Sequence, residues 1–132
     1  MLPDPDDPKT WLAKAVSDSR AVSQLLNAHP PLTDAACFHI QQAIEKSLKA
    51  VVVAKRLPMP FTHSIGELLD LLRPDATLDR LHETLAATTR YAVELRYPGT
   101  DSPPLAEVRR AMDAMEQLFE WVQQQIDSPP SA

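Results

Sequence analysis

Residues 38–56 read FHIQQAIEKSLKAVVVAKR, and this stretch decides the fold. Taken with its flank from Thr33 and placed at 100° per residue, Ala36, Cys37, Ile40, Ala43, Ile44, Ser47, Leu48, Ala50, Val51 and Ala54 share one arc of roughly 160°. An apolar arc that wide needs more than one neighbour, so the spacing predicts a central helix over residues 33–55, with Thr33 or Asp34 as its cap. The small residues Ala36, Ala43, Ala50 and Ala54 let another helix come close.

Opposite the arc, His39, Gln42, Lys46 and Lys49 fall at i, i+3, i+7 and i+10. Two lysines and a histidine on one stripe suit a phosphate or a carboxylate. The same pattern describes a solvated helix face whose long side chains cover the edge of the core. Spacing alone favours that second reading. Glu45 and Lys49, at i and i+4, also support the helix itself.

Working outward, Trp11, Ala15, Val22, Leu25 and Leu26 recur at helical spacing over residues 8–28, with Asp7 as cap and Pro8 in the first turn. Residues 62–72, THSIGELLDLL, form a short helix capped by Thr62 or Ser64, with Ile65, Leu68, Leu69 and Leu72 as its stripe. Leu78, Leu81, Leu85, Thr88, Ala92 and Leu95 predict a long helix over 77–95. Leu105, Val108, Met112, Met115, Phe119, Val122 and Ile126 predict another over 104–126. Their alternation of three and four is the seam of near-antiparallel helix packing. The expected fold is all-α, an antiparallel up-and-down bundle of four long helices plus one short one. Residues 9–126 make a single domain, with flexible tails at 1–8 and 127–132.

Composition agrees. The 132 residues hold only 2 glycines, too few for the positive-φ turns of an all-β fold, while the 13 prolines lie outside the periodic segments. A net charge of −5 gives no global basic footprint for nonspecific nucleic-acid binding. The single cysteine, Cys37, excludes an intramolecular disulfide and a cysteine-rich metal site. No apolar run approaches the ~18 residues of a membrane span, and the acidic, proline-rich start is not a signal peptide. A cytoplasmic protein without a metal or cofactor is expected.

Two further segments carry candidate chemistry. Arg56 and His63 flank LPMPFT, and an arginine with a histidine suits acid–base and phosphate-stabilising roles in RNA cleavage. Loop-anchoring polar contacts explain them more simply. Arg96 and Tyr97, in ELRYPGTD, end a helix before Pro98 and Gly99, where a cation also suits the helix dipole.

With FHIQQAIEKSLKA (38–50), THSIGELLDLL (62–72) and RYP (96–98) in this order after Trp11, the chain resembles a HEPN domain in its small stand-alone prokaryotic form. The resemblance covers residues 9–126. It implies a helical bundle, often a homodimer, frequently encoded beside a minimal nucleotidyltransferase in toxin–antitoxin-like pairs. It further implies nucleotide or RNA binding. Many such domains are metal-independent ribonucleases with an arginine and a histidine four to six residues apart near the junction of the last two long helices. By position, the resemblance points to Gln42, Glu45, Lys46, Lys49, His63, Arg96 and Tyr97 as a shared polar surface, to which spacing adds His39. At the nuclease position Arg96 is present, but no histidine follows it anywhere in the chain. That departure favours a binding module over a ribonuclease toxin. A purely structural helical interaction protein is the third reading.

Overall fold

A computed structural model describes residues 3–99 and 101–128, with Arg96 described by its backbone alone. Five α-helices follow in order: α1 (Pro8–Leu26), α2 (Thr33–Ala54), α3 (Ile65–Leu72), α4 (Ala76–Ala87) and α5 (Leu105–Asp127). Two 3-10 turns, Thr88–Ala92 and Glu94–Arg96, follow α4. There is no strand among the described residues. The chain forms the expected all-α bundle, with α2 as its hub: α2 packs against α1, α3, α5 and the first 3-10 turn.

Local chemistry sets the helix starts. The Asp7 side chain accepts from the Lys9 N–H at the head of α1, with Pro8 in the first turn. Ser64 caps α3 through the Glu67 N–H. Asp75 caps α4 by accepting from the Thr77 and Leu78 N–H groups, and its second oxygen takes the indole N–H of Trp121 at 3.1 Å, tying α5 to the start of α4. α2 departs from expectation. Leu32 is its cap residue and no side chain caps it, so neither Thr33 nor Asp34 does so.

The end of α2 closes as a Schellman motif. The Arg56 N–H bonds Val53 O at 3.0 Å and the Leu57 N–H bonds Val52 O at 3.1 Å. This geometry puts the residue after the cap in the left-handed region, and Arg56 has φ 57°. It is the only non-glycine residue so placed among the described residues. Glycine fits there without penalty, whereas a side chain costs roughly 1–2 kcal/mol.

The long helix expected over 77–95 is shorter. α4 stops at Ala87 and tightens into 3-10 geometry. Two consecutive threonines explain the change: the Thr88 hydroxyl donates to Leu85 O at 2.7 Å, and Thr89 Oγ1 accepts from the Ile65 N–H at 3.0 Å. Such side chains compete with the regular helical ladder, and the second bond fastens this turn to the start of α3.

The core gathers on α2. Ala36, Cys37, Ile40, Ala43, Ile44, Leu48, Ala50 and Val51 are fully buried, as the arc predicts. Ala54 is only half-buried, Val52 joins the core, and Leu57 and Met59 pack against that core beyond the end of the helix. Burying each large apolar side chain stabilises the fold by roughly 1.5–3 kcal/mol. The buried face of α5 is broader than the expected seam. Ala111, Ala114, Leu118 and Trp121 join Val108, Met115 and Val122, while Leu105 is exposed and Met112, Phe119 and Ile126 are partly buried. α5 meets both α2 and α4, so it needs a face wider than a two-helix seam.

Candidate functional site

The polar stripe of α2 is not a wet face. Its side chains turn into the crevices beside α1 and before α3, and they split into two groups.

The first group centres on Asp18 of α1. Its two oxygens take His39 Nδ1 at 2.8 Å and Lys46 Nζ at 2.7 Å. A carboxylate only accepts, so His39 donates through Nδ1. Asp18 falls on the same stripe of α1 as Trp11, Ala15 and Val22, and its side chain is only 12% exposed. Through these two bonds Asp18 ties α1 to α2 from within the interface.

The second group centres on Glu45, whose side chain is 6% exposed. Lys49 Nζ lies 2.9 Å from Oε2, the Gln41 amide donates to Oε1 at 3.0 Å, and His63 Nδ1 is 3.2 Å from both oxygens. Burial pushes the Glu45 carboxyl up, but the hydrogen bonds from Lys49, Gln41 and His63 and the Lys49 charge outweigh it and hold the group below its ordinary range. Ionised Glu45 fixes the proton of His63 on Nδ1 and leaves Nε2 facing outward on a ring that is 84% exposed. Gln41 is itself buried. It also donates to His63 O at 3.5 Å and accepts from the Gln42 amide at 2.6 Å. Lys49 Nζ lies 5.8 Å from the ring centroid of Trp11, and the Trp11 indole donates to Pro5 O. The result is one continuous chain, Gln42–Gln41–Glu45 with Lys49 and His63, anchored in the core and open at Gln42 and His63.

Of the residues singled out in the sequence, Gln42, Glu45, Lys49 and His63 come together. His39 and Lys46 form the neighbouring group on Asp18. His39 also lines a surface cleft with Asp34, Phe38, Tyr91 and Leu95, which brings the segment before Tyr97 to the first half of α2. Tyr97 is exposed, and the Arg96 side chain lies outside the described residues. Arg56 and His63 are not assembled as a pair: His63 is bound to Glu45, whereas Arg56 lines a separate cleft with Trp11.

Sequence reasoning missed Asp18 and Gln41. Asp18 lies at i+7 from Trp11 and i+3 from Ala15, and an acid on an apolar stripe asks for a cation on the facing helix. Gln41 is at i−4 from Glu45 and i−7 from Leu48, again on a buried stripe.

A third polar group lies behind the first half of α2. The Tyr91 hydroxyl donates to Glu107 Oε2 at 3.1 Å and Arg90 Nη2 approaches the same oxygen at 3.2 Å. Cys37 is buried beside them. Burial, with Asp34 and Glu107 adding negative charge, pushes its thiol up to about 12 against the opposing effect of Arg90. Among the described residues no group of three or more His, Cys, Asp or Glu could hold a metal ion, and no helix is long and apolar enough to cross a membrane.

These features define a class first: a small helical bundle whose central helix carries a buried acid–base network ending in an outward-facing histidine. The HEPN domain family model matches residues 8–125, so the chain belongs to the HEPN family. Two solved structures share the fold. The protein TT1696 from Thermus thermophilus is 26% identical, with a TM-score of 0.71 over 89% of this chain and 97% of its own. An archaeal HEPN homologue, ST0689, is 20% identical, with a TM-score of 0.71 over 92% of this chain and 98% of its own. No curated protein matches the sequence.

Proposed function

We propose that this chain is a HEPN-type nucleotide- or RNA-binding module that does not cleave what it binds. Its ligand face is the open side of α2, around Gln42 and His63, with His39 and Lys46 on the flank, and the resemblance adds Arg96 and Tyr97 as candidate ligand residues. The observation that carries this reading is the anchored chain from Glu45 through Gln41 to Gln42 and to His63. Gln41 and Glu45 have their bonding capacity largely taken up inside the protein, so they hold the two outer groups in place. Gln42 then offers an amide oxygen and a second N–H, and His63 offers Nε2, a donor and acceptor set that fits a base edge or a ribose hydroxyl.

The pairing of the basic side chains inside the protein argues for this kind of contact rather than a phosphate clamp. His39 and Lys46 already share Asp18, and Lys49 is paired with Glu45. Binding therefore rests on directional hydrogen bonds and depends only modestly on salt. The absence of a histidine after Arg96 supports binding without cleavage. In this reading the module works in the cytoplasm as a homodimer, beside a minimal nucleotidyltransferase in a toxin–antitoxin-like pair. Titration of the pure protein with nucleotides and short single-stranded RNAs tests it, and saturable binding with the RNA left intact is the expected result.

One observation favours metal-independent RNA cleavage as a second reading. A buried carboxylate orients His63 and leaves Nε2 exposed, the arrangement of a general base. Arg56 would have to come from a second copy. Incubation of RNA under chelator with the wild type and with His63→Ala decides the matter: equal background in both removes the ribonuclease reading.

A further inference from the structure

The start of α1 and the end of α2 enclose a cleft of about 480 Å³. Its wall is apolar, made by Trp11, Val53, Leu57 and Met59, and its charged groups are Arg56 and Asp6. Trp11 is held in place by the bond from its indole to Pro5 O, and by Lys49 beside the ring. Asp6 and Arg56 are both exposed, and Arg56 has no side-chain partner among the described residues. The arginine occupies the left-handed position that closes α2, where glycine is the residue without strain. A strained residue whose side chain is bonded to nothing else points to a role outside folding.

We propose that this cleft binds a small anion carrying an apolar ring, an aryl carboxylate or aryl phosphate monoester in chemical class. The ring lies against Trp11, Val53, Leu57 and Met59, and the anionic group meets the Arg56 guanidinium, whose fork matches both carboxylate and phosphate. Asp6 carries the opposing charge in the same cleft, so an anion without an apolar body gains little there. The apolar wall alone lacks an anchor, so a neutral ring also gains little. The site is separate from the open face of α2 around Gln42 and His63.

Calorimetric titration with 1-naphthyl phosphate tests the proposal, with 1-naphthol and inorganic phosphate as controls. The wild type should bind 1-naphthyl phosphate saturably and at least tenfold more tightly than either control. Arg56→Gly should lose at least tenfold in affinity, while its melting temperature stays level or rises because the strained turn is relieved. Gln42→Ala should bind the probe as the wild type does. Absence of saturable binding, equal affinity in Arg56→Gly, or equal affinity for 1-naphthol overturns the site. A lower melting temperature in Arg56→Gly overturns it as well, since the arginine would then be serving the fold. Loss of the probe in Gln42→Ala places it on the face of α2 and overturns this site while leaving the proposed function standing.

Discussion

Lys49 and Glu45, one helical turn apart on α2, form an ion pair of 2.9 Å inside the bundle, with side chains only 10% and 6% exposed. An i, i+4 pair on a helix surface contributes a few tenths of a kcal/mol. Here burial makes each partner depend on the other for most of its charge compensation. Lys49→Met should destabilise the protein by roughly 2–4 kcal/mol, the range for leaving a buried charge uncompensated, softened by the bonds Glu45 keeps to Gln41 and His63. The double variant Lys49→Met/Glu45→Gln should recover most of that loss. Urea unfolding midpoints check both.

The same carboxyl sets an acid limit. Its folded pKa lies below its ordinary value of 4.5, so its contribution is complete above pH 4.5 and is lost as pH falls through the lowered folded value. Glu45→Gln lacks this contribution at every pH. The stability gap between wild type and Glu45→Gln should therefore be widest near neutrality and narrow below pH 4.5. A gap that stays constant from pH 7 to pH 3 would contradict the network around Glu45.

Asp18 is the corresponding test for the α1–α2 interface. Asp18→Asn keeps the shape but removes the charge shared by His39 and Lys46. It should cost roughly 1–3 kcal/mol in stability. It should also release a local positive charge, so RNA binding by this variant should depend more steeply on salt than binding by the wild type. Affinities measured across a salt series give the slopes.

Cys37 should be inert. Its side chain is buried and its thiol is pushed up to about 12, so almost no thiolate exists at pH 8. The folded protein should react with a thiol reagent at least a hundredfold more slowly than the protein in denaturant. A fast reaction in the native state would show that α2 opens beside Tyr91.

The helices were legible in the sequence because their signals are local. Asp7 with Pro8 marks the start of α1, Ser64 marks α3, and the wide arc of α2 marks the hub. The early end of α4 was hidden because Thr88 and Thr89 keep helical spacing, and the change depends on a bond from Thr89 to Ile65, 24 residues away. The polar stripe was visible as a pattern but not as a structure. Its partners are Asp18, 21 and 28 residues from His39 and Lys46, and His63, 18 residues from Glu45. Helical spacing fixes which residues share a face. It cannot say that a facing helix supplies a carboxylate that turns the face inward.

In the proposed function, the anchored outer groups Gln42 and His63 hold a nucleotide or RNA. Anisotropy titration of a labelled short single-stranded RNA, with wild type and Gln42→Ala/His63→Ala side by side, tests it most directly. Gln42 offers two bonding groups and His63 one, each worth about 0.5–1.5 kcal/mol, so the double variant should bind more weakly by roughly tenfold or more while remaining folded. Equal affinity in the two proteins, or no saturable binding by the wild type, would show that Gln42 and His63 do not hold RNA.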